Sequence, residues 1–330
     1  MLPRPFWFLW FGTLINRFGY FVVPFLTLYL VRHRGFDPAL AGAVVSAFGA
    51  GSLVSQPLGG WLADRAGRRP TLVAGLLATA AAYLALGAAA SPAVLVGCAA
   101  AAGLATDLYR PAVAAVVADL VAPEHQRRAF ALLYWAIVAA TRDPRLVGLT
   151  ASTFAVAVVF FQGFVTLPLA MSADGLDAGA YGLVAALNPA VILLCQPVLV
   201  RLVAGVPLTF LYAGSGVATG VGFGLRLAAD SIAGYAVTVA VWTLGEIALN
   251  IAAPAMLAVI APAYLRGRYQ GVWGSSWGLA LLVAPVAGTW TWQRFGAGPL
   301  WLGCLALASA GTSSLLVWRS RWTAVDSRIS

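Results

Sequence analysis

Lysine is absent from this sequence of 330 residues, and all 20 of its basic residues are arginine. Without lysine the chain cannot build a phosphate-binding P-loop, a Schiff base with a carbonyl cofactor or a kinase-type nucleotide site. These absences exclude a nucleotide-hydrolysing motor domain within the sequence, and we expect no nucleotide partner.

Histidine and cysteine are also rare. The sequence has only His33 and His125, and Cys98, Cys195 and Cys304 each lie within an apolar run. No spacing is typical of a metal site or a disulfide framework, and no nucleophile is paired with a base. We therefore expect no metal, no cofactor and no enzymatic activity. The net charge of +9 comes from arginines in short turns, which form no basic face for nucleic acid.

Charged residues make up 9% of the chain, whereas hydrophobic residues make up 61% and the mean hydropathy is +0.88. A soluble protein has about 25% charged residues. A chain this poor in charge cannot cover its own surface with polar groups. The composition therefore indicates an all-α, polytopic membrane protein surrounded by the lipid bilayer.

Ten apolar segments are long enough to cross a bilayer as helices, which takes about 20 residues each. They run approximately over residues 6–30, 38–62, 70–91, 93–119, 146–170, 179–202, 207–229, 231–259, 269–292 and 297–319.

The arginines set the expected orientation of these spans. With the N-terminus in the cytoplasm, 14 arginines lie near cytoplasmic helix ends, against four on the other side, and Arg17 and Arg110 fall within spans. Because positively charged loops stay on the cytoplasmic side, we expect a multi-pass protein of the inner (plasma) membrane with both termini in the cytoplasm.

The sequence contains a weak internal repeat. Gly35-Phe36-Asp37 matches Gly175-Leu176-Asp177, and Gln56-Pro57 matches Gln196-Pro197, both at an offset of 140. Ala122-Pro123 matches Ala261-Pro262 at an offset of 139. Matches in register at a nearly constant offset indicate two parallel copies of one unit. We predict an N-terminal repeat over 1–140 and a C-terminal repeat over 141–330.

The N-terminal repeat is the shorter one. After Arg266 the second copy continues through two full spans, whereas after Arg127 the first offers only the apolar segment 129–140. Twelve helical residues reach about 18 Å, short of a hydrocarbon core of about 30 Å. We therefore predict four spans and a stub in the first repeat and six spans in the second.

One loop carries a specific motif. The run Gly60-Trp61-Leu62-Ala63-Asp64-Arg65-Ala66-Gly67-Arg68-Arg69 joins the second and third predicted spans. It resembles the G-x-L-A-D-R-x-G-R-R/K signature of the major facilitator superfamily, and Gly245-Glu246-Ile247 more loosely resembles its multidrug/proton antiporter-like branch. A complete member has twelve helices, so the resemblance implies that the fifth and sixth are lacking here.

The resemblance also implies a role for the motif. Gly60 and Gly67 allow a close approach and a tight turn, and Arg65, Arg68 and Arg69 hold the loop in the cytoplasm. In this family the carboxylate at the position of Asp64 docks on the N-terminus of a later helix, here starting near Tyr269, and latches one conformation. The alternative is a loop whose arginines serve only to set the topology.

Charged residues inside the membrane are candidates for function. Trp242, Glu246 and Asn250 are four apart and share a helix face. Because a charge at the bilayer centre costs about 2.5 to 3.5 kcal/mol, we expect Glu246 to carry a proton, either as a proton-coupling group or as a neutral packing residue.

The other candidates have similar alternatives. Arg17, next to Asn16, must face a cavity, a carboxylate or helix carbonyls. Asp107 and Arg110 lie three apart and form either a substrate or proton site or an internal ion pair. Gln162 stands among phenylalanines, which suits an amphipathic organic substrate or ordinary packing.

The resemblance therefore implies a secondary transporter that moves small organic solutes by alternating access, with drug-like efflux coupled to protons. A second hypothesis follows from the short repeat. The chain is then a truncated, non-transporting membrane protein, or one that needs a partner to complete its missing helix pair.

Overall fold

The computed structural model describes residues 22–106, 108, 143–262, 266–317 and 322. Within these ranges the chain forms ten helical segments, and no strand occurs in them. The helices are α1 (Val22–Leu28, continued by a π-helix over Tyr29–His33), α2 (Pro38–Arg65), α3 (Arg68–Ala88), α4 (Pro92–Thr106), α5 (Pro144–Ala173), α6 (Ala178–Leu202), α7 (Leu208–Gly224, continued by a 3-10 helix over Leu225–Ala228), α8 (Ile232–Ile260), α9 (Arg266–Phe295) and α10 (Ala297–Val317).

The predicted all-α, polytopic membrane fold is confirmed. Seven helices of the described part, α2 and α5 to α10, are long and apolar enough to cross a membrane. Val73–Ala88 and Pro92–Thr106 are shorter apolar helices. The predicted stub over 129–140, and parts of the spans predicted over 6–30 and 93–119, lie outside the described residues.

The chain divides into two compact units. The first comprises Met1–Arg128 with Leu281–Val286, and the second comprises Ala129–Ala280 with Ala287–Ser330. The second unit contains α5 to α8, α10 and most of α9, and it holds the polar clusters described below.

Small residues bring α2 and α4 together in the first unit. A Cβ atom at Gly103 would lie 1.9 Å from the carbonyl oxygen of Phe48, and one at Gly51 would lie 2.0 Å from that of Ala100. Ser52 Oγ donates a hydrogen bond to the Gly103 carbonyl oxygen at 3.3 Å. Helices in lipid associate through such close contacts and interhelical hydrogen bonds.

Glycine residues also allow close helix packing around α7 in the second unit. A Cβ atom at Gly216 would lie 2.1 Å from Thr312 Oγ1 on α10, and one at Gly245 on α8 would lie 2.5 Å from Thr219 Oγ1 on α7. Thr312 Oγ1 also donates to the carbonyl oxygen of Ala213 at 3.1 Å. Helix α7 is therefore held closely against both neighbours, and Gly245 fixes the register of the adjacent Glu246.

The repeat matches have a shared backbone geometry where they are described. Gly35 and Gly175 both have positive φ, 65° and 81°. Asp37 and Asp177 are the N-caps of α2 and α6, two residues later in each case. Glycine adopts this left-handed conformation without a Cβ penalty, so both turns leave the preceding helix through a left-handed glycine.

Candidate functional site

A carboxylate, an amide and a hydroxyl meet between α6 and α8. Asn188 Nδ2 on α6 donates to Glu246 Oε2 at 2.7 Å and to Thr243 Oγ1 at 3.0 Å. Thr243 Oγ1 in turn donates to the carbonyl oxygen of Val239 at 2.6 Å. The three side chains are buried or partly buried within helices long enough to span a membrane. The arrangement places one ionisable group in an apolar setting with a neutral hydrogen-bond donor.

Helix α6 can adjust its shape at this cluster. It contains Pro189 and Pro197, and Asn188 directly precedes the first of them. Proline lacks the amide that would bond the carbonyl four residues earlier, so each proline weakens the helix locally. Asn188 therefore lies at a point where α6 bends more easily than an uninterrupted helix.

An aromatic cluster surrounds Phe160 on α5. Its ring lies edge-on to Trp242 of α8, with centroids 5.4 Å apart, and to Trp277 of α9 at 5.6 Å. Phe161 and Phe164 complete the cluster at 5.7 and 5.3 Å from Phe160. Edge-to-face contacts of this kind stabilise packing. All of these rings except Trp242 are partly exposed, so their outer faces are available to an apolar ligand.

Trp242 has an unused hydrogen-bond donor. Its side chain is 4% exposed, and its Nε1 has no partner among the described residues. Trp301 on α10 is 1% exposed, and its Nε1 also has no partner among the described residues. The ring of Phe223 stacks between the two indoles, at 5.7 Å from Trp242 and 6.2 Å from Trp301. A buried donor without an acceptor costs free energy.

Gln162 is fixed within α5 and against α9. Its Nε2 donates to the carbonyl oxygen of Val158 at 3.2 Å, and its Oε1 accepts from Thr166 Oγ1 at 3.0 Å. A Cβ atom at Gly288 would lie 2.0 Å from Gln162 Oε1. Gly288 therefore makes the space that this buried amide occupies.

The end of α5 at Ala173 is held by a carboxylate cluster. Asp174 Oδ2 accepts hydrogen bonds from Arg226 Nη2 and from Tyr235 Oη, both at 2.7 Å. The Arg226 guanidinium also lies 4.5 Å from the centroid of the Tyr235 ring and donates to the carbonyl oxygen of Ala229. These bonds join the end of α5, the 3-10 helix after α7 and the start of α8.

The other end of α5 has a comparable cluster. Asp143 is the N-cap of α5, and its carboxylate accepts hydrogen bonds from three groups of Arg145: the backbone N–H, Nε and Nη2. Tyr269 Oη on α9 also donates to Asp143 Oδ2, at 3.0 Å. Burial raises the pKa of the Asp143 carboxyl, but the hydrogen bonds from Arg145 and Tyr269 outweigh it and place the pKa below its ordinary value of 3.8.

The lowered pKa has a testable consequence for stability. The stabilising contribution of Asp143 is complete above about pH 4 and is lost as the pH falls through the lower, folded-state pKa. Asp143→Asn is expected to destabilise the protein by about 1.5 kcal/mol at pH 7, since hydrogen bonds to charged groups are worth more than neutral ones. Thermal unfolding in detergent, followed between pH 3 and 7, measures the effect.

The matched control is Asp177→Asn. Asp177 Oδ1 also accepts from a backbone amide, that of Ala180 at 2.8 Å, as the N-cap of α6. Asparagine caps helices as well as aspartate does, so this variant should be close to wild type. Equal destabilisation by both variants would contradict the role given to the cluster of Asp143, Arg145 and Tyr269.

The predicted site residues fall into two groups. Asn16, Arg17, Asp107 and Arg110 lie outside the described residues. Glu246, Gln162 and Trp242 are placed as given above, and Asn250 is exposed on α8.

The loop motif joins α2, which ends at Arg65, to α3, which begins at Arg68. Gly67 there has a φ of 88°, a tight turn of the kind expected, and Arg65 lies over the Trp61 ring at 5.5 Å. The side chains of Asp64, Arg68 and Arg69, and the surroundings of Gly60, lie outside the part of the chain that is described.

Sequence reasoning missed Asn188, Thr243 and the two aspartates at the ends of α5. Asn188 carries a detectable signal, since it is an amide in the middle of the apolar segment 179–202. Asp143 and Asp174 carry none of comparable strength, because aspartates are ordinary residues in the turns between spans.

Comparisons with known proteins agree with this fold. Residues 9–141 match the family model described as Major Facilitator Superfamily. Multidrug resistance protein MdtH of Cronobacter sakazakii is 35% identical over 131 residues, which are 38% of this chain and 32% of that protein. MdtH of Salmonella paratyphi B is 33% identical over the same shares. The chain thus matches about a third of the length of these curated relatives.

Solved structures of transporters share the fold over nearly the whole chain. A POT family transporter in complex with 5-aminolevulinic acid aligns with a TM-score of 0.77 at 15% identity, covering 97% of each chain. The nucleoside transporter NupG aligns with a TM-score of 0.62 at 11% identity, covering 92% of this chain and 95% of that one. The resemblance to the major facilitator superfamily is therefore confirmed by sequence over residues 9–141, and a fold shared with solved transporters extends over nearly the whole chain.

Proposed function

We propose that this protein belongs to the major facilitator superfamily and is a secondary transporter that moves small organic solutes in exchange for protons. The observation that carries the proposal is the cluster of Glu246, Asn188 and Thr243 within membrane-spanning helices. An ionisable residue inside a membrane is costly, and it commonly marks a substrate or proton pathway. The fold, shared with transporters of several substrates, favours a transporter rather than an enzyme.

The cluster can hold Glu246 in both of its protonation states. When the carboxyl is ionised, Asn188 Nδ2 donates a hydrogen bond to it and lowers the cost of the charge. When it is protonated, the same donor still bonds the carbonyl oxygen, and the new O–H is free to reach a second acceptor. Proton uptake and release then change the charge of the site by one, as proton coupling requires. The contact between α6 and α8 is kept in both protonation states.

The aromatic cluster around Phe160 supplies the apolar part of a substrate site. Partly exposed faces of Phe160, Phe161, Phe164 and Trp277 suit a flat or amphipathic organic molecule, because sites for small molecules are mostly apolar with a few polar groups. We assign the polar contact to Trp242 Nε1, which donates to an acceptor on the substrate.

Trp242→Phe tests this assignment, since it keeps a ring in the cluster and removes the donor. A neutral hydrogen bond is worth about 1 kcal/mol, so the KM for transported substrate is expected to rise about fivefold with kcat little changed. Uptake into proteoliposomes at varied substrate concentration measures both constants.

Trp301→Phe is the control, because it removes an equally buried and unpartnered indole donor from α10 and should leave the KM unchanged. If the two variants behave alike, or if Trp242→Phe lowers only kcat, the assignment of Trp242 to the substrate is wrong.

We propose efflux as the direction of transport, because the MdtH relatives are multidrug resistance proteins. The family model matches residues 9–141, which contain the loop motif from Gly60 to Arg69. The arginine count supports a location in the inner membrane with both termini in the cytoplasm. The latch role of Asp64 stays a prediction.

A second candidate is a membrane protein that does not transport, or that needs a partner to complete it. Helix α6 supports this candidate, since only 6% of its most apolar stretch of 18 residues is buried in the protein. Leu193 and Leu194 on this helix are 78% and 72% exposed. An opening beside this helix is what the missing helix pair predicts. Proton flux into vesicles that contain the purified chain separates the candidates, because only a transporter moves protons when substrate is added.

A further inference from the structure

A groove of about 310 Å³ runs between the first turn of α5 and the end of α10 in the second unit. It is lined by the apolar residues Val147, Gly148, Leu315 and Trp322, which we call its floor, and by Arg145, which we call its rim. Gly148 keeps the floor open, because even a Cβ atom there would lie 3.3 Å from Leu315 Cδ2. Val147 is 47% exposed, whereas Trp322 is fully buried.

The groove lies at the level of lipid headgroups. Helix α5 has 30 residues, a length of about 45 Å at 1.5 Å per residue. The hydrocarbon core of a bilayer is about 30 Å thick, and the bilayer with its headgroups is about 40 to 45 Å thick. The first turn of α5, where Arg145 lies, therefore stands among the headgroups, and the floor residues extend toward the acyl chains.

Positive charge at the rim faces outward. Arg145 is bonded to Asp143, but its side chain is 37% exposed and that of Asp143 is 11% exposed. The guanidinium is thus the more accessible member of the ion pair. Its Nη1 makes no hydrogen bond within the described ranges, and because the side chain is partly exposed, Nη1 can donate to an anion at the surface. In the sequence, Arg319 and Arg321 occur between the end of α10 at Val317 and Trp322.

We propose that this groove binds one anionic phospholipid. The phosphate accepts from Arg145, and an acyl chain lies along Val147 and Leu315. Basic pockets between membrane helices recognise such headgroups, and tryptophan is enriched at the same depth. The arginine distribution places the groove in the cytoplasmic leaflet, where anionic lipids are concentrated.

The test compares two lipids that differ only in the headgroup. The purified full chain is unfolded thermally in neutral detergent with phosphatidylglycerol or with phosphatidylcholine of the same acyl chains. Binding to the folded state raises the unfolding temperature, and we expect phosphatidylglycerol to raise it by about 5 °C more than phosphatidylcholine. Glycerol phosphate alone should not reproduce the shift, because it lacks the acyl chains.

Three variants make the test specific. The double variant Asp143→Asn/Arg145→Gln preserves the net charge of the protein. Whatever its own unfolding temperature, phosphatidylglycerol and phosphatidylcholine should shift that temperature equally. Gly148→Leu fills the floor and should reduce the shift while leaving Arg145 in place. Arg201→Gln removes a charge at the end of α6, away from the groove, and should retain the full shift. The proposal is overturned if the double variant still prefers phosphatidylglycerol, if Arg201→Gln loses the preference equally, or if wild type responds to both lipids alike.

Discussion

Replacing Glu246 with glutamine is expected to abolish the dependence of transport on a proton gradient while substrate binding persists. Glutamine keeps the size of the side chain and can still accept from Asn188, but it cannot take up or release a proton. Proton-driven accumulation of substrate in proteoliposomes should therefore fall to the level seen without a gradient. Binding of the same substrate, measured by its quenching of tryptophan fluorescence, should change little.

Glu246→Asp is the matched variant, because it shortens the side chain by one methylene and keeps a titratable carboxyl. Some gradient-driven transport should remain. Thr243→Val, which removes the neighbouring hydroxyl and keeps the shape, should also leave the coupling in place. If wild type transports and Glu246→Gln keeps full pH-driven movement, the coupling role passes to Asp107 or to no carboxylate.

Replacing Gly103 with alanine is expected to cause the largest loss of stability in the first unit. The new methyl group would lie 1.9 Å from the carbonyl oxygen of Phe48. The carbonyl of Phe48 cannot move aside without its helix, so α2 and α4 must separate. The separation also weakens the hydrogen bond from Ser52. Overpacking of this kind costs about 1 to 3 kcal/mol. Thermal or denaturant unfolding in detergent measures the change.

Gly97→Ala provides the control on the same helix. A Cβ atom at Gly97 has no neighbour within 4 Å, and alanine is a better helix former than glycine by about 1 kcal/mol. The control should therefore be neutral or slightly more stable than wild type. Similar stabilities for the two variants would show that α2 and α4 do not pack as closely as described.

Much of the fold is predictable from the sequence for a simple physical reason. A lipid environment requires long apolar segments with every backbone group bonded internally, so hydropathy alone locates α5 to α10 to within a few residues. The positive φ of Gly67 and the capping role of Asp177 were also open to prediction, because glycine and aspartate have strong local preferences.

The site was less predictable, because it depends on which helices meet. Glu246 is visible in the sequence as a charge in an apolar run. Asn188, 58 positions earlier, becomes its partner only through the packing of α6 on α8, which hydropathy does not encode. Gly245 shows the same difference. In the sequence it is one of 35 glycines. The need for glycine becomes clear only in the structure, where a Cβ atom at this position would lie 2.5 Å from Thr219 Oγ1.

Helix α5 is anchored at both ends, by Asp143 with Arg145 and Tyr269 and by Asp174 with Arg226 and Tyr235. Mechanically it is a strut with fixed ends, so a force applied along it cannot be relieved by sliding. The strut has one compliant point, Pro168, which lacks the amide that would brace the preceding turn. Under axial load α5 should therefore bend near Pro168, six residues before the Asp174 anchor, and the longer segment that carries Phe160 and Gln162 should move as a rigid rod.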